Sequence, residues 1–431
     1  MTRPRPAGPS SLRRHNLGLV LTALRAAGGA SRAELAASTG LTRATVATLL
    51  EPLLTAEVLA EDAATPRGVG RPSRAVRFAP GGPVALGVAV DVDTLSVCAV
   101  GLDGAVRAYR HEIHDHRRLL PAAVFDGAAA LTARVVAEVG AGVLGIALAL
   151  PALLNADSQA VGAVALPPGD DTRAGSPPAE AFGRRPPGDD TRADSPTVEV
   201  RDPMPPGDGS VVLHAPNLPR LVGSSPGAAL AERLGRPVTV DNEATLGALA
   251  HLDLAPDLVY VSAGIGIGGG IVLGGRVYRG ARGLAGELGH VVVDRAGPEC
   301  GCGGRGCVER YAGSTTLLAD AGVADLDTLT GALARGDDRE VAATTRAAAA
   351  LGVGLASVLN VLDVPVVVLG GTYAHLMPHV EHTLRAELAC RSLVPAPIRV
   401  LASGHGDAAA VRGAAEVVLD AVLHDPDRLL A

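Results

Sequence analysis

The chain has 431 residues, 48% of them apolar, and a formal charge of −7. That length and apolar share suffice for two or three buried cores, and no run approaches the ~18 uninterrupted apolar residues of a membrane span. All 38 basic residues are arginine, so the Gly-Lys-Ser/Thr of a Walker loop occurs nowhere and P-loop nucleotide chemistry is excluded.

Charge is unevenly placed: residues 1–80 hold eleven arginines against five acids, a balance of +6 that leaves −13 for the remainder. A basic head suits an anion such as DNA, or serves only solubility. Residues 1–15 read as a flexible basic tail without the apolar stretch of a secretory leader, and the chain as cytoplasmic. Residues 16–27 place apolar side chains at helical spacing until Gly28-Gly29 breaks the run. Ser31 and Glu34 form a capping box for a helix over 32–39, Gly40 permits a tight turn, and Thr42 caps a helix over 43–51. Pro52 predicts an end or a kink there. Val58 to Ala60, a Gly/Pro/Arg-rich loop over 66–74, and Ala75 to Ala79 read as a two-stranded wing.

Residues 16–80 thus read as a winged helix-turn-helix DNA-binding domain, with a small helical interaction domain as the other reading. Arg43 and Thr45 are the expected readers of major-groove edges, with Arg32 and Thr42 beside them. Arg67, Arg71 and Arg74 are expected on phosphates or in the minor groove.

From Val84 the pattern changes to a three-strand meander with a turn at Asp103-Gly104, then an alanine-rich helix over 122–139 and a strand over 143–150. A comparable set opens at Leu258, so residues 83–431 read as an internally duplicated α/β body. An insert at about 166–210 interrupts it; Pro167 to Pro177 recurs at 186–196 with Gly175 becoming Asp194. With almost no large apolar side chain it cannot offset its ordering entropy, and reads as disordered.

His290, Cys300, Cys302 and Cys307 lie within eighteen residues among glycines. Three thiolates and one imidazole suit tetrahedral zinc, and four protein ligands leave no place for an activated water, so the metal reads as structural. Buried or oxidised cysteines are the other reading.

Glu287-x-x-His290, the run from Cys300 to Glu309 and the winged helix together resemble the ROK family of repressors and sugar kinases, with Leu369-Gly370-Gly371 and the stretch from Gly404 to Ala415 similar to its C-terminal signatures. The resemblance implies an α/β, two-lobed actin/hexokinase-like (ribonuclease H-like) body behind an all-helical winged helix-turn-helix domain with its two-stranded wing. It also implies zinc on His290, Cys300, Cys302 and Cys307, and sugar hydroxyls on Asn242, Glu287, His290 and Glu309, with Glu243 a further acceptor. Glu287 and Glu309 also read as mere supports of the metal loop.

The family's kinase motifs are altered. Ala89 stands where they carry a phosphate-loop aspartate, with Asp91 and Val92 in place of two glycines, and Ile265 replaces the threonine of the second phosphate motif. Glu243 holds the position of the kinase's aspartate base, leaving no intact catalytic residue. The expectation is a non-enzymatic, sugar-responsive repressor that binds operator DNA as a homodimer or homotetramer, with no membrane partner; an ATP-dependent hexose kinase is the alternative.

Overall fold

The computed structural model describes residues 9–62, 74–155, 209–393 and 397–430. Residues 1–8, Arg67, Arg71 and nearly all of the repeat-bearing insert lie outside the described residues.

The head opens with α1 (Pro9–Ala27), which starts earlier than its apolar periodicity indicates and takes in much of the stretch read as a tail. β1 (Ala30–Ser31) leads into α2 (Arg32–Thr39), where Ser31 Oγ accepts from Glu34 N and Ser31 N donates to Glu34 Oε2, the capping box the sequence spells. Gly40 turns the chain at φ 72°, and Thr42 caps α3 (Arg43–Thr55). Pro52 neither ends nor breaks α3. Leu49, Leu50 and Leu53 are buried on its inner face, and burial worth about 1.5–3 kcal/mol per side chain offsets the missing hydrogen bond. β2 (Leu59–Glu61) and β3 (Ala75–Phe78) form the wing, and β1 pairs with β3 to make a three-stranded sheet, so the head is not all-helical.

In the body, β4 (Val84–Val90), β5 (Thr94–Gly101) and β6 (Val106–Ile113) form the meander. After α4 (Pro121–Val139), β7 (Val143–Leu150) pairs parallel with β4. β8 (Leu153–Asn155) and β9 (Val211–His214) pair antiparallel and so close the base of the insert. α5 (Pro226–Leu234) leads to β10 (Val238–Asn242), parallel to β7, and to α6 (Glu243–Leu249).

The second lobe repeats the plan. β11 (Leu258–Ala263), β12 (Ile267–Leu273) and β13 (Arg276–Val277) form an antiparallel meander. Four helices follow: α7 (Glu309–Ala312), α8 (Ser314–Ala321), α9 (Leu326–Arg335) and α10 (Asp338–Leu362). Then come β14 (Val366–Leu369), α11 (Thr372–His375), α12 (Met377–Arg391), β15 (Arg399–Ala402) and α13 (Ala409–His424). The sheet orders β10-β7-β4-β5-β6 and β15-β14-β11-β12-β13 are equivalent, each a meander extended by two parallel strands. Among the described residues α10 alone is long and apolar enough to cross a membrane, and its face of Ala343, Ala347, Leu351 and Leu355 is instead buried in the second lobe's core.

α6 and α13 lie between the sheets. α13 covers Ala85, Ala147 and Ala149 of the first, while Ala248 and Ala409 pack on Tyr260 and Val368 of the second. The N-terminus of α6, carrying Asn242 and Glu243, is therefore held where the lobes meet.

Candidate metal centre, ligand cleft and DNA-facing head

The metal loop is shaped by backbone before side chains. A short 3-10 turn, Leu288–His290, sets the imidazole, and Val308 N donates to Val291 O at 2.9 Å, tying the cysteine hairpin to it. Gly306 has φ 69°, and a Cβ there would lie 1.5 Å from Asp294 O, so only glycine fits. Cys300, Cys302 and Cys307 are unbridged thiols. The ligand atoms of His290 and the three cysteines lie within 4.8 Å of one another. A tetrahedral zinc implies a nitrogen–sulfur edge of about 3.5 Å and a sulfur–sulfur edge of about 3.8 Å. His290 Nδ1 to Cys300 Sγ is 3.6 Å and Cys302 Sγ to Cys307 Sγ is 3.7 Å, so the cluster fits such an ion.

The same loop carries two carboxylates, Glu287 and Glu309. With Nδ1 turned to Cys300, His290 points Nε2 toward Glu287 Oε2 at 3.9 Å. Burial, then the charge of Glu309, raise the Glu287 pKa against the pull of His290 and His214. His214, on β9 beside the insert, is the smallest of these influences. Glu309 accepts from Ile267 N at 3.1 Å and fills the space a Cβ on Gly266 would need. Two residues along the glycine run, a Cβ on Gly268 would lie 3.7 Å from Glu243 Oε1. Gly266, just before β12, and Gly268 within it thus bring the metal-loop and α6 carboxylates close to one short stretch of chain.

Asn242 is more committed than its reading as a sugar contact implied. Its Oδ1 accepts from Ala244 N and Thr245 N at 2.9 and 3.2 Å as the cap of α6, and its Nδ2 donates to Ala152 O at 3.2 Å, leaving one amide hydrogen for a ligand. The preceding Asp241 is buried and receives both Nε and Nη2 of Arg279, at 2.9 and 2.7 Å, pinning β10 of one lobe to the chain after β13 of the other. Behind α6, His251 Nε2 meets Ser403 Oγ at 2.9 Å, which anchors the helix to the C-terminal glycine run.

Glu243 accepts from Ser262 Oγ at 3.1 Å, and burial first, then the charge of Asp91, push its pKa up to about 8. Burial likewise raises Asp91, against a hydrogen bond from Val92 N. The corner where the resemblance places ATP phosphates therefore holds two buried carboxyl groups, and the charge of Asp91 is one cause of the raised Glu243 pKa.

On the head, Arg43, Thr42 and Thr45 gather at the first turn of α3. Thr42 caps Thr45 N at 3.1 Å and shares a 2.9 Å hydroxyl contact with Thr45, so both threonines serve the helix end, and Arg43 is exposed there. Arg32 and Arg74, read as DNA contacts, both pair with Glu61 on β2, at 2.6 and 3.4 Å. The hydrogen bond from Arg32, followed by the arginine charges, holds Glu61 below its ordinary pKa. These two arginines are already engaged in the wing. Arg67 and Arg71 lie outside the described residues.

Equivalent five-stranded lobes fronted by a winged helix-turn-helix define an actin/hexokinase-like body joined to a small helical head with a β-wing. Residues 210–421 match the model of the ROK family. The xylose repressor of Bacillus subtilis (strain 168) is 30% identical over 209 residues, which are 45% of this chain and 53% of that one. The N-acetylmannosamine kinase of Yersinia pestis (strain Pestoides F) is 32% identical over 151 residues, 34% of this chain and 52% of that one. The chain thus spans about half the length of these curated relatives. The crystal structure of a ROK family transcriptional regulator, a homologue of the E. coli MLC protein, superposes with a TM-score of 0.71 at 20% identity, covering 97% of this chain and 99% of that one. That agreement extends the shared fold through the head.

Proposed function

We propose that this chain is a sugar-responsive transcriptional repressor whose body senses a ligand in the cleft and whose head binds operator DNA. The observation that carries the reading is the pair Asp91 and Glu243. Asp91 helps raise the Glu243 pKa, and a carboxylate at Asp91 opposes a polyphosphate, while Glu287, His290, Glu309 and the remaining Asn242 hydrogen suit a hydroxyl-rich, uncharged ligand. A base must also be deprotonated to work, and Glu243 with a pKa of about 8 holds its proton at neutral pH. Both points favour a sensor over an ATP-dependent kinase, and steady ATP turnover with any hexose or N-acetylhexosamine would reverse that choice.

Structural zinc on His290, Cys300, Cys302 and Cys307 would fix Glu287 and Glu309 in the cleft without supplying a reactive water. The chain's own residues do the rest: carboxylates and imidazole accept and donate to sugar hydroxyls, and closure of the lobes on the sugar shifts a two-state equilibrium. Two-fold pairing of heads in a cytoplasmic homodimer, or a homotetramer built from it, calls for palindromic half-sites.

The test is binding of the purified protein to its own upstream DNA at fixed salt with mono- and disaccharides added. Xylose comes first, because a similar protein is named a xylose repressor. Release by one sugar supports the reading; specific binding indifferent to every sugar points to another effector. Arg43→Ala is expected to weaken operator affinity about tenfold to a hundredfold and leave sugar affinity unchanged. Unaltered operator affinity removes α3 as the recognition helix.

A further inference from the structure

The head is not tethered to the body by a linker but shares a core with it. Leu17, Leu21 and Leu24 of α1 and Leu50 and Leu53 of α3 belong to one continuous apolar cluster with Leu246 of α6 and Val411, Val418, Leu419 and Val422 of α13. Two backbone-to-backbone crossings punctuate it. A Cβ on Gly413 of α13 would lie 1.7 Å from Leu246 O of α6, and a Cβ on Gly18 of α1 would lie 2.6 Å from Leu423 O of α13. At each crossing no side chain stands between the elements to absorb a shift. Polar contacts fix the same seam: Arg25 Nη2 meets Glu416 Oε2 at 2.6 Å with both side chains about one fifth exposed, and Arg14 reaches Asp425 and Asp427 at 3.5 and 3.3 Å. Arg412, one residue before the Gly413 crossing, donates to Gly104 O at 3.1 Å, and a Cβ on that glycine would lie 3.3 Å from Arg25 Nη2, so the β5–β6 turn braces both arginines.

We propose that α13 is the rigid coupler through which the cleft controls the head. This rests on the repressor reading for its purpose, though the mechanical lock does not. α6 begins in the cleft at Glu243, and three residues later Leu246 bears on Gly413. α13 then runs to Leu423 under Gly18, and α1 packs on α2 and α3, which carry the DNA-facing turn. Backbone contact of this kind transmits displacement, because packed elements choose between discrete arrangements and do not deform continuously.

The experiment has two arms on the full chain, with Gly18→Ala and the milder double variant R25A/E416A beside the wild type. In native-state hydrogen exchange, α1 and α13 of the wild type are expected to open with the same free energy, while the variants let α1 exchange at least tenfold faster than α13. In the operator assay, the factor by which sugar weakens DNA binding is expected to fall toward 1 in both variants, with sugar affinity and sugar-free operator affinity held within about threefold, and by reciprocity the effect of DNA on sugar affinity falls equally. Independent opening of the wild-type head, or a full coupling factor in both variants, overturns the coupler. A wild type that no sugar releases from DNA sinks the repressor reading instead, and the exchange arm still decides the lock.

Discussion

Cys302→Ser is expected to strip the metal from the protein and to collapse the ligand cleft. Cys302 is exposed, so in a metal-free chain its thiol contributes little to packing and its loss would be almost silent. If it closes a tetrahedral site with His290, Cys300 and Cys307, removing it leaves an open three-ligand shell. Structural zinc sites in small domains bind with about 10–16 kcal/mol at neutral pH, much of it folding free energy. Here part of the loop is also held by the Val291–Val308 and Cys300–Gly304 backbone bonds, so the loss is expected on the order of 5 kcal/mol, a fall in Tm of about 10 °C or more. Glu287 and Glu309 flank the cluster in sequence, and sugar affinity is expected to drop by at least about a hundredfold with them. Elemental analysis should find one zinc per chain in the wild type and much less in the variant, with Cys390→Ser, another exposed thiol, as the silent control. A wild type that keeps full stability and sugar affinity after exhaustive chelation would falsify the metal's structural role.

What the sequence made legible was what local physics controls. The Ser31–Glu34 box, the Thr42 cap and the strand over 143–150 sit where their patterns place them, because each depends on residues a few positions apart. The metal cluster was legible for the same reason, being confined to eighteen residues. Pro52 reads as a terminator only until Leu49, Leu50 and Leu53 are seen gripping the helix from the core. β1 is too short to carry a period, and exists because β3 offers it a ladder. The roles of polar residues were less legible than their positions. Asn242 caps a helix, and Arg32 and Arg74 share Glu61, partnerships that composition cannot rank against a sugar or a phosphate. Asp241–Arg279 joins segments from different lobes, and no spacing rule reaches that far.

Glu243→Gln is expected to stabilise the protein by an amount that depends on pH, which separates a charge effect from a packing effect. In the unfolded chain the carboxyl ionises near its ordinary value of 4.5, and in the fold near 8. Below about pH 4 both states hold the proton and the substitution should change little. As pH rises through 4.5 the unfolded state alone gives up its proton, so the wild type loses stability steadily, and only above the folded value does the loss level off. Each pKa unit corresponds to about 1.4 kcal/mol, and because Asp91 titrates with Glu243 the net gain for glutamine is expected at about 2–4 kcal/mol above pH 8. Urea midpoints of both proteins from pH 4 to pH 9 check this: the curves should meet at the acid end, diverge between about pH 5 and pH 8, and run parallel beyond. Asp91→Asn should narrow the divergence, since it removes the second cause of the shift. Curves parallel over the whole range would mean that Glu243 is ionised in the fold like any surface carboxylate; it would then be free to take a proton from a sugar hydroxyl, and the case for a sensor over a kinase would lose its main support.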